Sequence, residues 1–504
     1  MQRQLKRMAA EWSRPAGMAI GLTVALLAAT PRPCHAAPGR ETEEVRAAVV
    51  KVYTTYQVPQ YLDPWAPGWV YSGTGSGCII SGQRILTNAH MVGNATLIQV
   101  RRYGQAERHT ARVLFVSHEA DLALLTVDSP GFFEGVKPLA LAPLPPLQQE
   151  VSALGFPEGG DSLSITRGVL SRIEHIDYVH SSQNLLGGQI DAALNPGNSG
   201  GPVLVDGRIV GIAMQVIFLS QNIAYMVPSP VIERFLADVA DGRYDGIPRL
   251  GIRQEKMENA DMRGRYGVPP DKTGVLILGT RPGFASADLL RAGDVLLSIA
   301  GHPIANDGTI EFRPQERTSL SYFVEGLQVG QSISVEILRD GKVSALTVPL
   351  NRPSSSGNLV APPEYDHRPS YFLYAGLLFE PLTFDYLRAR NFGSHELMAL
   401  AAKTPSFDGE QVVVLVRVLA SEVNEGYHDL TDGVVTAVDG SKPKNLADFV
   451  RLVEDGARPF VTITYDDGQQ IVLERARAKA AGPEILRLYQ IQSDRQLVAP
   501  SAKP

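Results

Sequence analysis

The sequence is short of cysteine, of excess charge and of long hydrophobic runs. It has 2 Cys in 504 residues, Cys34 and Cys78. Cys34 falls in a segment expected to be removed, so one thiol remains and no intrachain disulfide is available. The fold has to hold by packing, and Cys78 inside an apolar strand reads as a small core residue. Charged residues make up 20% and the formal net charge is −6, with no basic patch to serve a nucleic acid. His109, His118, His175 and His180 lack metal-ligand spacing and read as surface or loop residues. Neither a metal nor another cofactor is expected. Past the N-terminus no stretch is long and apolar enough to span a bilayer.

What the chain does have begins with an export signal, expected over residues 1–36. Arg3, Lys6, Arg7 and Arg14 precede an apolar stretch from Met18 to about Thr30. That stretch is too short to cross a bilayer core of ~30 Å as a helix. Pro31 and Pro33 break it, and Cys34-His35-Ala36 sets small residues at a cleavage site before Ala37. An ordinary N-terminal helix or an uncleaved anchor is the alternative. Cleavage would make the product an exported protein, periplasmic in a Gram-negative cell.

At roughly 100–200 residues per domain, the length predicts three or four domains. Composition is globular at 44% hydrophobic, and 47 Gly with 35 Pro fit β-rich modules with many turns. Residues 42–245 read as the first unit. Strand-length runs such as Gly77–Ile80, Arg84–Thr87, Leu122–Leu125 and Ile209–Ala213 are separated by turn residues. Such spacing predicts antiparallel barrels or sandwiches, closed by a helix over Val231–Ala240.

Two smaller units follow, at 246–350 and 369–480. Gly293–Gly301 has a partner in Asp432–Gly440, each a hydrophobic strand running into a glycine turn. Each is followed by a short amphipathic helix: Leu320, Phe323 and Val324 in the first, and Leu446, Phe449, Val450 and Val453 behind an Asn445 N-cap in the second. Each then has a strand and a tight turn, Arg339–Lys342 and Asp466–Gly468. The repeated order argues for duplication. Residues 351–368 have linker composition, and 481–504 read as a loose tail.

The chemistry concentrates in Asn195-Pro196-Gly197-Asn198-Ser199-Gly200-Gly201-Pro202. A serine hydroxyl needs a base to become a nucleophile, and N–H donors for the oxyanion it creates. Flanking glycines let the backbone turn tightly enough for the Gly197 and Ser199 N–H groups to converge, with Asn198 between them. Upstream, the strand Ile85–Thr87 runs into Asn88-Ala89-His90, and Asp121 directly precedes an apolar strand. A buried carboxylate beside an imidazole fixes its tautomer and stabilises its charged form. The order His, Asp, Ser is that of chymotrypsin-like enzymes. Gaps of 31 and 78 residues suit a base and orienter on one barrel and a nucleophile on the next.

With these motifs the chain resembles the HtrA/Deg (DegP-like) serine protease family, nearest its plant-type Deg branch. The match runs through Thr87–His90, Asp121–Leu125, Asp191–Pro202 and Ile223–Pro228. The resemblance implies a mainly β fold: a double six-stranded barrel of the chymotrypsin/trypsin type, then two PDZ-like α+β domains. It implies an endopeptidase acting on unfolded or damaged exported proteins through a His90–Asp121–Ser199 triad, with Gly197, Asn198 and Ser199 as the oxyanion hole. Homo-oligomers built from trimers are implied too, through Tyr53, Tyr56, Tyr61, Trp65 or Trp69, unless these aromatics are core. The stretch from Val58 to Gly75 is short and lacks the glutamine-rich loop of some bacterial relatives.

The residue six before the nucleophile, Ala193, lies at the specificity-pocket base in this fold, and Ile212, Ala213 and Met214 add apolar walls. No acid is there to pair with Lys or Arg, so small or medium apolar side chains are expected. Arg249-Leu250-Gly251-Ile252 fits the carboxylate-binding loop of a PDZ domain, which captures peptide C-termini. Tyr374-Ala375-Gly376-Leu377 fits it less fully and suits peptide binding or assembly. His175–Gly188 and Ile217–Asn222 are expected as loops that order the active site. The competing readings are a scaffold or holdase with an idle protease domain, and a processing enzyme with few substrates.

Overall fold

The computed structural model describes residues 42–129, 131–216 and 224–497. Residues 1–36, expected as a signal, with Cys34, the residues Ile217–Asn222 expected as a loop, and Ala499–Pro504 lie outside these residues.

The first unit is two closed six-stranded barrels. β1 (Val49–Gln57), β2 (Val70–Ile80), β3 (Arg84–Thr87), β4 (Ala95–Arg102), β5 (His109–Ser117) and β6 (Leu122–Val127) close in the order β1-β2-β3-β6-β5-β4. β7 (Glu150–Gly155), β8 (Ser164–Asp177), β9 (Asn184–Ile190), β10 (Pro202–Val205), β11 (Arg208–Val216) and β12 (Ala224–Pro228) close as β10-β11-β12-β9-β8-β7. Closure leaves no unpaired strand edge. Val50, Ile79, Leu86 and Leu124 of the first barrel share a core with Leu154, Phe156 and Ile212 of the second. Cys78 is fully buried there, and burial pushes its thiol far up, away from reactivity. The closing helix is Ser229–Asp238, starting two residues earlier than expected, because a proline in the first turn needs no N–H partner.

The next module carries β13 (Ile252–Lys256), β14 (Val275–Thr280), β15 (Val295–Ile299), β16 (His302–Pro303), β17 (Thr309–Arg313), β18 (Glu316–Ser319), β19 (Ser332–Arg339) and β20 (Lys342–Pro349). Its main sheet runs β13-β14-β15-β19-β20, leaving β13 as an edge. The helix Tyr322–Glu325 is one turn long. The module docks on the second barrel: Phe312 and Tyr322 pack on its core, and Arg313 donates to the Pro145 carbonyl at 2.9 Å.

The last module carries β21 (Tyr371–Tyr374), β22 (Leu377–Pro381), β23 (Val413–Val418), β24 (Gly433–Val438), β25 (Phe460–Tyr465), β26 (Gln470–Glu474) and β27 (Arg495–Gln496). They form one sheet, β26-β25-β24-β23-β22-β21-β27. Asn445 caps the helix Leu446–Glu454 by accepting from the Asp448 N–H at 2.9 Å. In both modules the repeated strand ends in a left-handed pair before the turn: Ala300-Gly301 after β15 and Asp439-Gly440 after β24. Such pairs are the signature of tight hairpins.

Two expectations are corrected. Residues 481–497 are no loose tail: the helix Arg475–Leu488 buries Ile485, Ile491 is buried after it, and β27 pairs with β21. Residues 351–368 connect the modules but run docked along the first unit. The Ser354 N–H donates to the Ile247 carbonyl at 2.7 Å and the Ser354 hydroxyl to Glu119 Oε1 at 3.1 Å. Their polar composition serves partners on the protein rather than water. Among the described residues no helix is long and apolar enough to cross a membrane.

Candidate active site

The turn 195–201 is built by close backbone approach. Gly197 and Gly200 have φ of +95° and +83°, where any other residue is strained. A Cβ at Gly200 would lie 2.1 Å from the Ser76 carbonyl oxygen, and one at Gly201 2.0 Å from that of Leu154. Neither space admits a side chain. The turn is pinned from several sides. Ser76 N–H donates to the Ser199 carbonyl (2.8 Å), and the Ser76 hydroxyl donates to the Gly197 carbonyl (2.7 Å) while accepting from the Phe156 N–H (2.8 Å). Glu158 N–H takes the Pro196 carbonyl at 2.7 Å. Because a trans peptide sets C=O and N–H on opposite sides, the Gly197 N–H is turned the other way. Among the described residues neither the Gly197 nor the Ser199 N–H has an acceptor, as oxyanion donors require.

His90 sits in a single 3₁₀ turn, Ala89–Met91, directly after β3. Its Nδ1 lies 2.8 Å from Asp121 Oδ2 and 3.0 Å from Oδ1, and its own N–H donates to Oδ1 at 2.9 Å. Asp121 has a left-handed φ of +52°, held because the buried Asn88 amide donates to its carbonyl at 2.8 Å. The His90 side chain keeps 30% of its surface, whereas that of Asp121 keeps 1%. Burial alone would push the imidazole down; the charge and hydrogen bond of Asp121 outweigh it and hold His90 above its ordinary value. Burial would raise Asp121, but His90 holds it below the usual carboxylate range. A fixed tautomer with an open Nε2 edge suits a base.

The nucleophile side rests differently. Ser199 Oγ donates to the Met214 carbonyl at 3.1 Å, and among the described residues no hydrogen bond joins it to His90. Ile212, Ala213 and Met214 are buried, while Ala193 is exposed on the turn's approach.

At the first downstream module, Gly251 (φ +70°) lets the loop 249–252 pass beside Phe284, whose ring would lie 2.4 Å from a Cβ there. β13 then runs exposed along the sheet edge. Arg253 and Arg281, which the sequence did not single out, join Arg249 around the loop. Burial, with Arg249 and Arg253 nearby, pushes the Arg281 guanidinium down to about 10. Three mutually repelling cations suit a carboxylate. The second loop does not match. Ala375 (φ +51°) and Gly376 (φ +86°) make a two-residue hairpin whose Ala375 carbonyl is taken by Asn424 Nδ2 at 2.7 Å. Tyr374 and Leu377 are its closing pair, and β22 is paired on both sides.

The aromatics divide. Tyr61 donates to Asp385 at 3.1 Å and Trp65 meets Tyr371 edge-on, so both pack on the last module, where Asp63 also pairs with Arg417. Tyr53 lies under Arg108, and Tyr56 stacks on Tyr71. Trp69 keeps 72% of its surface, beside exposed Val70 and Tyr71. Sequence reasoning assigned no role at the site to Ser76, Asn88, His118 or His180. The last two are loop residues, as expected, yet they hydrogen-bond to each other at 2.9 Å, and the His180 ring lies 6.1 Å from that of His90. Only the glycine-dense run 73–77 and the Thr87-Asn88 pair gave any local hint.

A family model described as a trypsin-like peptidase domain matches residues 75–212, and one described as a PDZ domain matches 360–497. The chain is 37% identical to Protease Do-like 4, mitochondrial, of Arabidopsis thaliana, over 88% of this chain and 84% of that one. It is 37% identical to Protease Do-like 2, chloroplastic, of the same organism, over 91% and 76%. A serine protease DegP homolog of Plasmodium falciparum is 29% identical over 81% and 58%. A solved HtrA-type protease with a decapeptide aligns with TM-score 0.49 at 24% identity, covering 61% of this chain and 96% of that one.

Proposed function

Because this chain belongs to the HtrA/Deg family of Do-like serine proteases, we propose that it cleaves unfolded or damaged polypeptides through the His90–Asp121–Ser199 triad. The supporting observation is the His90–Asp121 pair with Nδ1 bound and 30% of the His90 side chain open, together with a Ser199 turn on which, among the described residues, two N–H donors have no acceptor. In this reading Ser199 rotates from the Met214 carbonyl to His90 Nε2, loses its proton there and attacks the scissile carbonyl. Asp121 stabilises the imidazolium, and the Gly197 and Ser199 N–H groups hold the oxyanion on either side of Asn198. His90 then protonates the leaving amine, and water hydrolyses the acyl-enzyme.

Ala193, Ile212, Ala213 and Met214 offer no acid, which supports cleavage after small or medium apolar residues. Peptide C-termini bind at Arg249–Ile252 beside the open β13. Exposed Trp69, Val70 and Tyr71 support trimers as the unit of assembly. The basic and apolar N-terminus and the organelle names of the relatives support delivery across a membrane, to the periplasm in a Gram-negative cell.

The test is β-casein digestion by the mature chain and by Ser199→Ala, with and without a peptide ending in an apolar residue. Cleavage by the parent alone, stimulated by the peptide, is the expected result. Binding of casein by both forms with cleavage by neither would favour a holdase with an idle protease domain.

A further inference from the structure

The segment joining the two downstream modules reaches the back of the His90–Asp121 pair. It is tied to the last module first: Phe384 N–H donates to the Ala361 carbonyl at 3.0 Å, and Glu364 N–H to Asp385 Oδ2 at 2.8 Å. Its tip, Tyr365-Asp366, then lies on the first unit. The Tyr365 ring stacks 4.1 Å from His180 and 4.5 Å from His118, and its hydroxyl donates to the His180 carbonyl at 2.6 Å. Asp366 and Asn94 bond reciprocally: Asn94 N–H donates to Asp366 Oδ1 (2.6 Å) and Asp366 N–H to Asn94 Oδ1 (2.8 Å). The other carboxylate oxygen of Asp366 faces His118 Nε2 at 2.9 Å.

These two residues therefore touch three loops at once. One follows β3 and carries His90. The second links β5 to β6 and carries Asp121. The third is the β8–β9 hairpin, whose His180 faces the catalytic imidazole and whose Ser181 hydroxyl donates to the Glu119 carbonyl at 2.9 Å. The fit is tight: a Cβ at Gly93 would lie 3.2 Å from the Tyr365 ring. Burial pushes His180 down to about 3, so it is a neutral member of the cluster. Asp366 supplies the negative charge and stays below the usual carboxylate range through His118.

We propose that Tyr365 and Asp366 are positioning residues for the hydrolytic reaction, docking the inter-module segment on the loops that set His90 for proton transfer. The proposal rests on the triad reading above. Proton-transfer geometry is used in the transition state and not in ground-state binding, so its loss falls on kcat and spares KM.

The experiment uses the full mature chain, a chromogenic peptide substrate, a fluorophosphonate that labels reactive serines, and thermal melting. Tyr365→Ala and Asp366→Ala are expected to lower kcat about ten- to hundredfold, with KM within about twofold. Tyr365→Phe keeps the stacking, and Asp366→Glu keeps the charge; both are expected to restore most of kcat. If the alanine variants lose the parent's melting transition, Asp366→Asn decides the matter, expected to lower kcat severalfold with the transition intact. In the alanine variants, or in Asp366→Asn where those do not fold, a kcat within twofold of the parent, a rise in kcat, or a change in KM alone would overturn the proposal. A parent that is not labelled at Ser199 would instead overturn the triad reading.

Discussion

The two downstream modules share one order of elements and differ in what covers one strand. Aligned on their loop glycines, Gly251 and Gly376, they set Glu255 of β13 opposite Glu380 of β22. Glu255 is exposed on an unpaired edge; Glu380 is 1% exposed in a strand paired on both sides. The chain's own β21 and β27 occupy, in the last module, the place where an added strand would lie on the first. The repeated order of elements thus leaves an edge open in one copy and fills it in the other, and the filled copy is held to the first unit through Tyr61, Trp65 and Tyr365. On the proposed function the open edge beside a glycine loop takes a peptide strand, whereas the same edge filled serves packing.

The comparison is broken most directly by stoichiometry. A fluorescent peptide with an apolar C-terminus should bind one site per chain, and Gly251→Val should weaken it about a hundredfold, or about 2.7 kcal/mol. The strain comes from a left-handed φ and a Cβ at 2.4 Å from Phe284. Two sites per chain in a polarisation titration would break the distinction. Next in size, Ile485→Ala should destabilise the last module by about 2–5 kcal/mol in urea unfolding of the full chain. A truly loose tail would give no change. Asn424→Ala leaves the Ala375 and Leu419 carbonyls without their 2.7 Å and 2.8 Å donors, at about 1–3 kcal/mol.

The smallest effect is one of pH. Burial holds the Glu380 carboxyl well above its ordinary value. The folded state therefore keeps a proton that the unfolded chain gives up near about pH 4.3. Stability falls as pH rises above that value towards the folded pKa. Glu380→Gln should raise the melting temperature at pH 7 and flatten its pH dependence.

Local signals made much of this legible. Asn445 announced its helix, apolar runs bounded by turn residues announced strands of barrels or sandwiches, and the glycines about Ser199 announced a turn that no side chain fits. His90 and Asp121 were readable because each adjoins a strand that had to be buried. What stayed hidden depends on partners distant in sequence. β27 meets β21 across about 120 residues, and Asp366 reaches Asn94 across 272. The polar run 351–368 has the composition of a solvated linker whether its partners are water or protein. Ser76 carries no sign of the two bonds of its hydroxyl beyond the glycines around it. The hairpin at Tyr374–Leu377 kept the glycine of a carboxylate loop, so nothing local marked its edge as filled.

Covalent labelling is the decisive test of Ser199 as the nucleophile driven by His90 and Asp121. The mature chain is treated with a fluorophosphonate, and the adduct is located by peptide mass mapping. One adduct per chain is expected, on Ser199, absent in Ser199→Ala and slowed on the order of a thousandfold or more in Asp121→Asn, where the tautomer is lost. An adduct at another residue, or full casein cleavage by Ser199→Ala, would contradict it.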